Sequence, residues 1–263
     1  GITDSRLFVI SQINQGVSAA RNRGLNAART EHVAFLDADD WWLSGAIAEF
    51  KWMIRYCSNC VMYCIGHVRR APDEDLGHFT ESPLASCDIL EGPNFISLYS
   101  HKQLVNSSAS CVKKRLVQDI GGFPVGALTG EDIYLWLRLA LCGCVAVSSE
   151  PRVVIERPAP GIKTQRRDPV PYYILWFSDP DKFKQYSKRG QIAVSRFLFY
   201  RGINMCAGKI VAKKREDARG ICRAITRVRP TFLFAGAVIV FIPSFFFSVG
   251  YKIKHARTSR REG

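Results

Sequence analysis

The sequence predicts an α/β fold with parallel strand pairing, on three observations. Short apolar runs at residues 7–10, 32–36 and 61–65 have the length and composition of buried strands. Stretches of helical pattern, residues 17–28 and 44–56, separate them. The order is therefore strand, helix, strand, helix, strand, as in α/β sheets with crossover helices.

Each element has a local reason. Residues 7–10, Leu-Phe-Val-Ile, end at the breakers Asn14, Gln15 and Gly16. Ala19, Ala20, Leu25, Ala27 and Ala28 are good helix formers whose small side chains let a helix lie close to a sheet. Arg21 and Arg23 on that helix cannot both face the sheet. Residues 32–36 form the second apolar run, which stops abruptly at Asp37-Ala38-Asp39-Asp40, followed by Trp41 and Trp42. Residues 70–92 are rich in Pro, Asp, Glu, Gly and Ser and read as a long loop. Residues 107–112 are strand-like, 113–119 a short helix, and Gly121-Gly122-Phe123-Pro124 a turn. A helix is expected over 131–142, with Ile133, Leu135, Trp136, Leu139 and Ala140 as its apolar face. Two short strands, 145–147 and 153–155, precede a proline-rich loop over 158–171. Residues 182–229 read as helical, with Gly190, Gly202, Gly208 and Gly220 as expected breaks.

With 263 residues, 47% hydrophobic and 23% charged, the chain can bury a core and is neither disordered nor fibrous. The net charge of +14 is concentrated in the tail, because residues 182–263 hold 19 of the 37 basic residues and only 3 of the 23 acidic ones. Such a tail attracts anionic surfaces. A nucleic-acid binder is disfavoured: no helix-turn-helix, zinc-finger or RNA-binding signature is present. Nine cysteines, an odd number spread through apolar segments, read as reduced thiols; Cys57, Cys60 and Cys64 lack a second ligand pair at zinc-site spacing. His67, His78 and His101 have no partner pattern and are expected in loops or at the surface.

The acidic cluster carries the chemistry. In open α/β sheets ligands bind at the carboxyl ends of strands, where Asp37 and Asp39 fall. Three carboxylates within four residues repel one another. They suit a hard cation that brings phosphates with it, although a solvated acidic turn is the plain alternative.

The run from Asn14 to Leu25, Asn-Gln-Gly-Val-Ser-Ala-Ala-Arg-Asn-Arg-Gly-Leu, followed by Phe35-Leu36-Asp37-Ala38-Asp39-Asp40, resembles the donor-binding half of family 2 glycosyltransferases. The resemblance continues at Gly121-Gly122-Phe123 and at Gly130-Glu131-Asp132, which heads a helix with Trp136 and Arg138. It implies an A-type, Rossmann-like α/β domain and inverting transfer of a sugar from a nucleotide-sugar donor, UDP-linked, with Mn²⁺ or Mg²⁺ on the diphosphate. The acceptor would be a saccharide or lipid-linked saccharide in surface polysaccharide synthesis. The resemblance assigns Asp132 as catalytic base, Glu131 to the acceptor side and Asp39 to the metal. Asp37, Arg21 and Asn22 fall to the donor, with Asp40 as a helper or a helix cap. It also implies an opening strand–helix–strand that has no counterpart here, so the catalytic domain, residues 1–165, is expected to be N-terminally incomplete. A noncatalytic binding or scaffold protein on a degraded transferase fold is the rival reading.

Beyond it, a basic helical extension is expected over 166–229, an apolar segment over 230–251 and a basic tail over 252–263. The apolar segment has 22 uncharged residues, enough to span a bilayer, but Pro243 and two basic flanks favour a hairpin or interfacial association. This places the protein on a membrane surface, at the cytoplasmic face of the inner membrane.

Overall fold

The computed structural model describes residues 4–70, 87–156 and 169–229. The elements run α1 (Val17–Ala27), β1 (His32–Ala34), β2 (Trp41–Trp42), α2 (Ala46–Tyr56), β3 (Cys60–Arg70), β4 (Asp88–Leu90) and α3 (Gly92–Tyr99). Then follow β5 (Ser110–Lys113), α4 (Lys114–Asp119), α5 (Glu131–Cys142), β6 (Cys144–Glu156), α6 (Tyr172–Phe177), α7 (Pro180–Phe183), α8 (Lys188–Val211) and α9 (Arg215–Thr226).

The α/β class holds, but the expected parallel sheet is mixed. Strand order is β1-β5-β3-β6-β2, with β4 also on β6, and β3 with β6 is the single parallel pair among the described strands. The apolar runs at 145–147 and 153–155 are two ends of one strand, β6. Its first end pairs with β4 and its second with β2, while β3 runs alongside from Cys144 to Glu156. Sequence periodicity sees two short strands because Ser148, Ser149, Glu150 and Pro151 interrupt the apolar pattern at the bulges of this ladder.

The central strand separates two cores, because alternate side chains of a strand face opposite ways. Met62 and Cys64 of β3 join Phe95, Trp136, Leu139, Phe197 and Ile221 on the side of α3, α5, α8 and α9. Tyr63 and Ile65 join Phe50, Met53, Ala146 and Val153 on the α2 side. There the Arg152 Nε donates to Glu49 Oε2 at 2.8 Å, a pair buried on both sides, which ties α2 to β6. Gly92 opens α3 directly against the Ala140 carbonyl of α5, where any Cβ would collide.

Residues 7–10 are not a strand. They are irregular, and Phe8 and Val9 are 59% and 89% exposed. A strand needs a ladder partner for its backbone groups, and among the described strands β1 pairs with β5 and none pairs with this segment. His67 lies half-buried within β3 rather than in a loop, and its burial lowers its pKa. His101 is exposed beyond α3, and His78 lies outside the described residues.

The glycines expected to break the C-terminal helices lie inside them: Gly190, Gly202 and Gly208 in α8, Gly220 in α9. Gly190 is there for contact, since a Cβ would come within 2.7 Å of Leu141 Cδ2. The break falls instead at 212–214, where Lys213 takes a positive φ of 59°. Both helices contribute to the same core as α3 and α5.

The expected membrane location is corrected. Among the described residues no helix is long and apolar enough to cross a membrane. The segment 230–251, on which the expectation rested, lies outside the described residues.

Candidate active site

Arg21 gathers the site. It projects from α1 with its side chain 12% exposed, while Arg23 points to solvent. Its Nη2 donates to both oxygens of Asp37, at 2.7 and 3.0 Å, and its Nη1 to Glu131 Oε1 at 3.2 Å. One guanidinium thus joins the turn after β1 to the start of α5, although Glu131 lies 110 residues beyond Arg21 in sequence. Its carbon lies 5.4 Å from the Phe123 ring centroid, so the same side chain also covers the glycine turn.

That turn is fixed by Asn22. Its Nδ2 donates to the Phe123 carbonyl and its Oδ1 accepts from the Phe123 N–H, both at 2.8 Å. Gly121 and Gly122 adopt φ of 87° and 70°, the left-handed region that glycine takes without strain. A Cβ on Gly122 would also come within 2.6 Å of Asn22 Oδ1. Phe123 packs edge-on against Phe35 at 5.3 Å and Trp136 at 6.1 Å. The blocks 14–25, 35–40, 121–123 and 130–138 are therefore one constellation in space.

The acidic turn has three differently committed carboxylates. Asp37 is held by Arg21. Asp40 accepts from the Ser108 hydroxyl at 2.5 Å and from the Glu156 N–H at 3.1 Å. Burial raises its pKa against those bonds, and Asp39 and Asp37 push the same way. It does not cap the next helix, which begins at Ala46 after a left-handed Gly45 with no side-chain cap. Asp39 is exposed and has no hydrogen bond or ion pair among the described residues.

Glu131 and Asp132 open α5, where the helix's free N–H groups favour negative charge. Asp132 Oδ1 accepts the Ile133 N–H at 2.7 Å. Burial pushes the Asp132 carboxyl above its ordinary value, against the pull of that N–H and of Arg21, while Asp37 adds to the push. Glu131 is likewise raised by burial and then by Asp132, with Arg21 opposing. Asp132 thus lies within electrostatic reach of the Arg21–Asp37 pair.

Sequence reasoning gave Ser108 no role. Its hydroxyl accepts the Asp37 N–H at 3.0 Å while donating to Asp40, and its carbonyl accepts from Trp42 Nε1 at 2.7 Å. Ser108 is fully buried beneath the acidic turn, and Asn106 Oδ1 accepts its N–H. The Asn106-Ser107-Ser108 string is a turn signal, but its partners are some 70 residues upstream and invisible to local pattern.

Among the described residues no group of three His, Cys, Asp or Glu side chains could hold a metal ion. A cation resting on one carboxylate, substrate phosphates and water needs no such group, and Asp39 is the uncommitted carboxylate of the acidic turn. Asp39 is thus the residue of this turn free to share in holding Mg²⁺ or Mn²⁺ delivered with a diphosphate.

The whole architecture is similar to that of S. aureus TarS. A crystal structure of that protein in complex with UDP-GlcNAc aligns with a TM-score of 0.61 at 14% identity, covering 88% of this chain and 70% of that one. A second structure of it gives 0.56, covering 82% and 37%. Such likeness establishes the fold. The fold is thus of the α/β glycosyltransferase type.

Sequence matches point in the same direction. Residues 2–85 match the model of glycosyl transferase family 2. A putative glycosyltransferase of Bacillus subtilis, EpsH, is 58% identical over 38 residues, 14% of this chain and 11% of its own length. The pre-mycofactocin glycosyltransferase of Mycobacterium tuberculosis is 29% identical over 160 residues, covering 59% of this chain and 32% of its own. The succinoglycan biosynthesis protein ExoW of Rhizobium meliloti is 27% identical over 164 residues, covering 57% and 48%. The chain thus spans under half the length of each of these curated relatives. The chain is thus similar to family 2 glycosyl transferases over residues 2–85 and shares the fold of the solved glycosyltransferase structures.

Proposed function

We propose that this chain transfers a sugar from a UDP-linked donor to a saccharide acceptor of surface polysaccharide, in one displacement that inverts the anomeric carbon. The observation that carries the reading is the Arg21 fork, which brings the acidic turn and the start of α5 to one place. The domain boundaries expected from sequence, a catalytic unit over 1–165 and a helical extension over 166–229, go with this proposal.

Asp132 acts as base. The acceptor oxygen bonds to the anomeric carbon while its proton passes to an Asp132 oxygen. The anomeric carbon–oxygen bond to the diphosphate breaks, and its electron pair leaves with the nucleoside diphosphate. Of the two carboxylates that open α5, Asp132 is the desolvated one without an arginine hydrogen-bonded to it. Glu131, held by Arg21, lines the acceptor side. Arg21 and Asp37 set the donor wall, and Asn22 supports that wall through the Phe123 turn. Asp40, with Ser108, braces the turn that carries Asp39. Asp39 would hold a divalent cation, which when bound stabilises the leaving diphosphate as a Lewis acid.

The test is release of nucleoside diphosphate from a panel of nucleotide sugars with Mn²⁺ or Mg²⁺ and a saccharide acceptor. Asp132→Asn should lower kcat by at least about a hundredfold while leaving donor KM near wild type. Asp39→Asn should raise the metal concentration needed for half activity. Since the base must be ionised, wild-type activity should rise with pH through a value above the ordinary carboxylate range, and that limb should vanish in D132N. Wild-type turnover by D132N, with the fold verified by circular dichroism, would refute the assignment.

A further inference from the structure

We propose that a pocket of about 300 Å³ between α3 and α8, lined by Ser97, Ser100, His101, Arg196, Tyr200 and Arg229, is a second binding site, selective for a phosphate group and separate from the donor site.

Its lining carries two guanidinium groups, an imidazole and three hydroxyl-bearing side chains, and no carboxylate. Neither arginine has an acidic partner among the described residues. Arg196 is exposed on α8 and has no hydrogen bond or ion pair among the described residues. Two other basic residues of α8 do have acidic partners: Arg189 with Glu91 at 3.0 Å, and Lys209 with Asp217 at 2.7 Å.

Arg229 is held in place rather than free to wander. Its guanidinium carbon lies 4.8 Å from the Phe199 ring centroid, and Nη1 donates to Ser195 Oγ at 3.4 Å. Its Nε is buried without an acceptor among the described residues. A buried N–H that bonds nothing is costly, and an incoming anion oxygen would relieve it. Opposite, the His101 and Tyr200 rings meet at 4.6 Å and wall the pocket.

A phosphate fits these donors better than a carboxylate. The guanidinium forks together with serine, tyrosine and imidazole donors exceed what two coplanar oxygens accept, whereas a phosphate presents three oxygens in a tetrahedron. Arginine in place of lysine suits that geometry. None of the residues of the Arg21–Asp37–Glu131 constellation lines this pocket, so occupancy does not depend on the proposed transfer reaction.

Backbone amide NMR on the full chain tests this, titrating inorganic phosphate, with glucose 1-phosphate and uridine monophosphate as further arms. Saturable shifts are expected at Ser97–His101 and Arg229. Binding should weaken at least about tenfold in Arg196→Gln and in Arg229→Gln. Arg196 is exposed, so that variant keeps its fold and decides the matter if R229Q does not. Tighter binding of either organic phosphate identifies the carrier. Shifts that never saturate, that are unchanged in R196Q, or that are confined to the residues around Arg21 and Asp37 would overturn the proposal.

Discussion

Replacing Arg21 by glutamine cuts the one side chain that joins the two halves of the site, and the cost can be worked from its three contacts. The Asp37 arm is short, 2.7 Å, but Asp37 is 34% exposed, so water screens it and its loss costs at most about 1 kcal/mol. The Glu131 arm is 3.2 Å between groups 12% and 14% exposed. Removing it leaves a desolvated carboxylate without its partner, about 1–3 kcal/mol. Lost packing over Phe123 adds about 0.5–1 kcal/mol. The sum is about 1.5–5 kcal/mol, a range that overlaps the cost of breaking a completely buried pair.

The pH dependence has a definite sign. Glu131 and Asp132 are raised by burial, so their favourable contribution is present below the ordinary carboxylate range and is lost as pH rises through the raised values. Arg21 lowers both, which limits that loss. Without it both rise further, so the R21Q penalty should be full at pH 7.5 and smaller at pH 5. Urea denaturation at the two pH values measures this. Arg21→Lys should recover part of the loss, because an ammonium keeps the charge but cannot fork between two carboxylates. A penalty equal at both pH values, or under about 0.5 kcal/mol at pH 7.5, would refute the reasoning.

Three further outcomes are expected. Arg152→Met leaves Glu49 fully buried and without its charge partner, and should cost about 3–5 kcal/mol by denaturant titration, much of it restored in the double variant with Glu49→Gln. Gly92→Ala should prevent soluble folding, seen as loss of a cooperative thermal transition, since its Cβ meets the Ala140 carbonyl on a helix pinned in the core. Cys57 and Cys87 have their sulfurs 2.9 Å apart, so hydrogen peroxide should convert the two thiols to a disulfide, with peroxide reduced to water. Intact mass would show loss of two hydrogens, and Cys87→Ser should abolish it, although burial pushes the Cys87 thiol to about 12 and slows the reaction at neutral pH.

The elements legible in the sequence were those whose pattern is local. The helix over 131–142 is observed within those bounds because its apolar face repeats at helical spacing and Gly130 marks its start. The helix at 17–28 is legible for a similar reason, being built of alanines after a glycine. Residues 7–10 misled, because an apolar tetrapeptide has strand character only if a neighbour supplies hydrogen bonds. The helical glycines misled too, because the same residue that breaks an exposed helix permits close packing in a buried one.

Sequence by itself determined the α/β class, the acidic turn after β1 and the carboxylates that open α5, since each is written in residues next to one another. Only the tertiary structure decided that the sheet is mixed, that Asn22 holds the Phe123 turn, that Ser108 braces the acidic turn from below, and that Arg21 spans Asp37 and Glu131. Those facts depend on which distant backbones come within 3 Å of a side chain. Strand pairing and core packing set those distances, and no local pattern of hydrophobicity or charge encodes them.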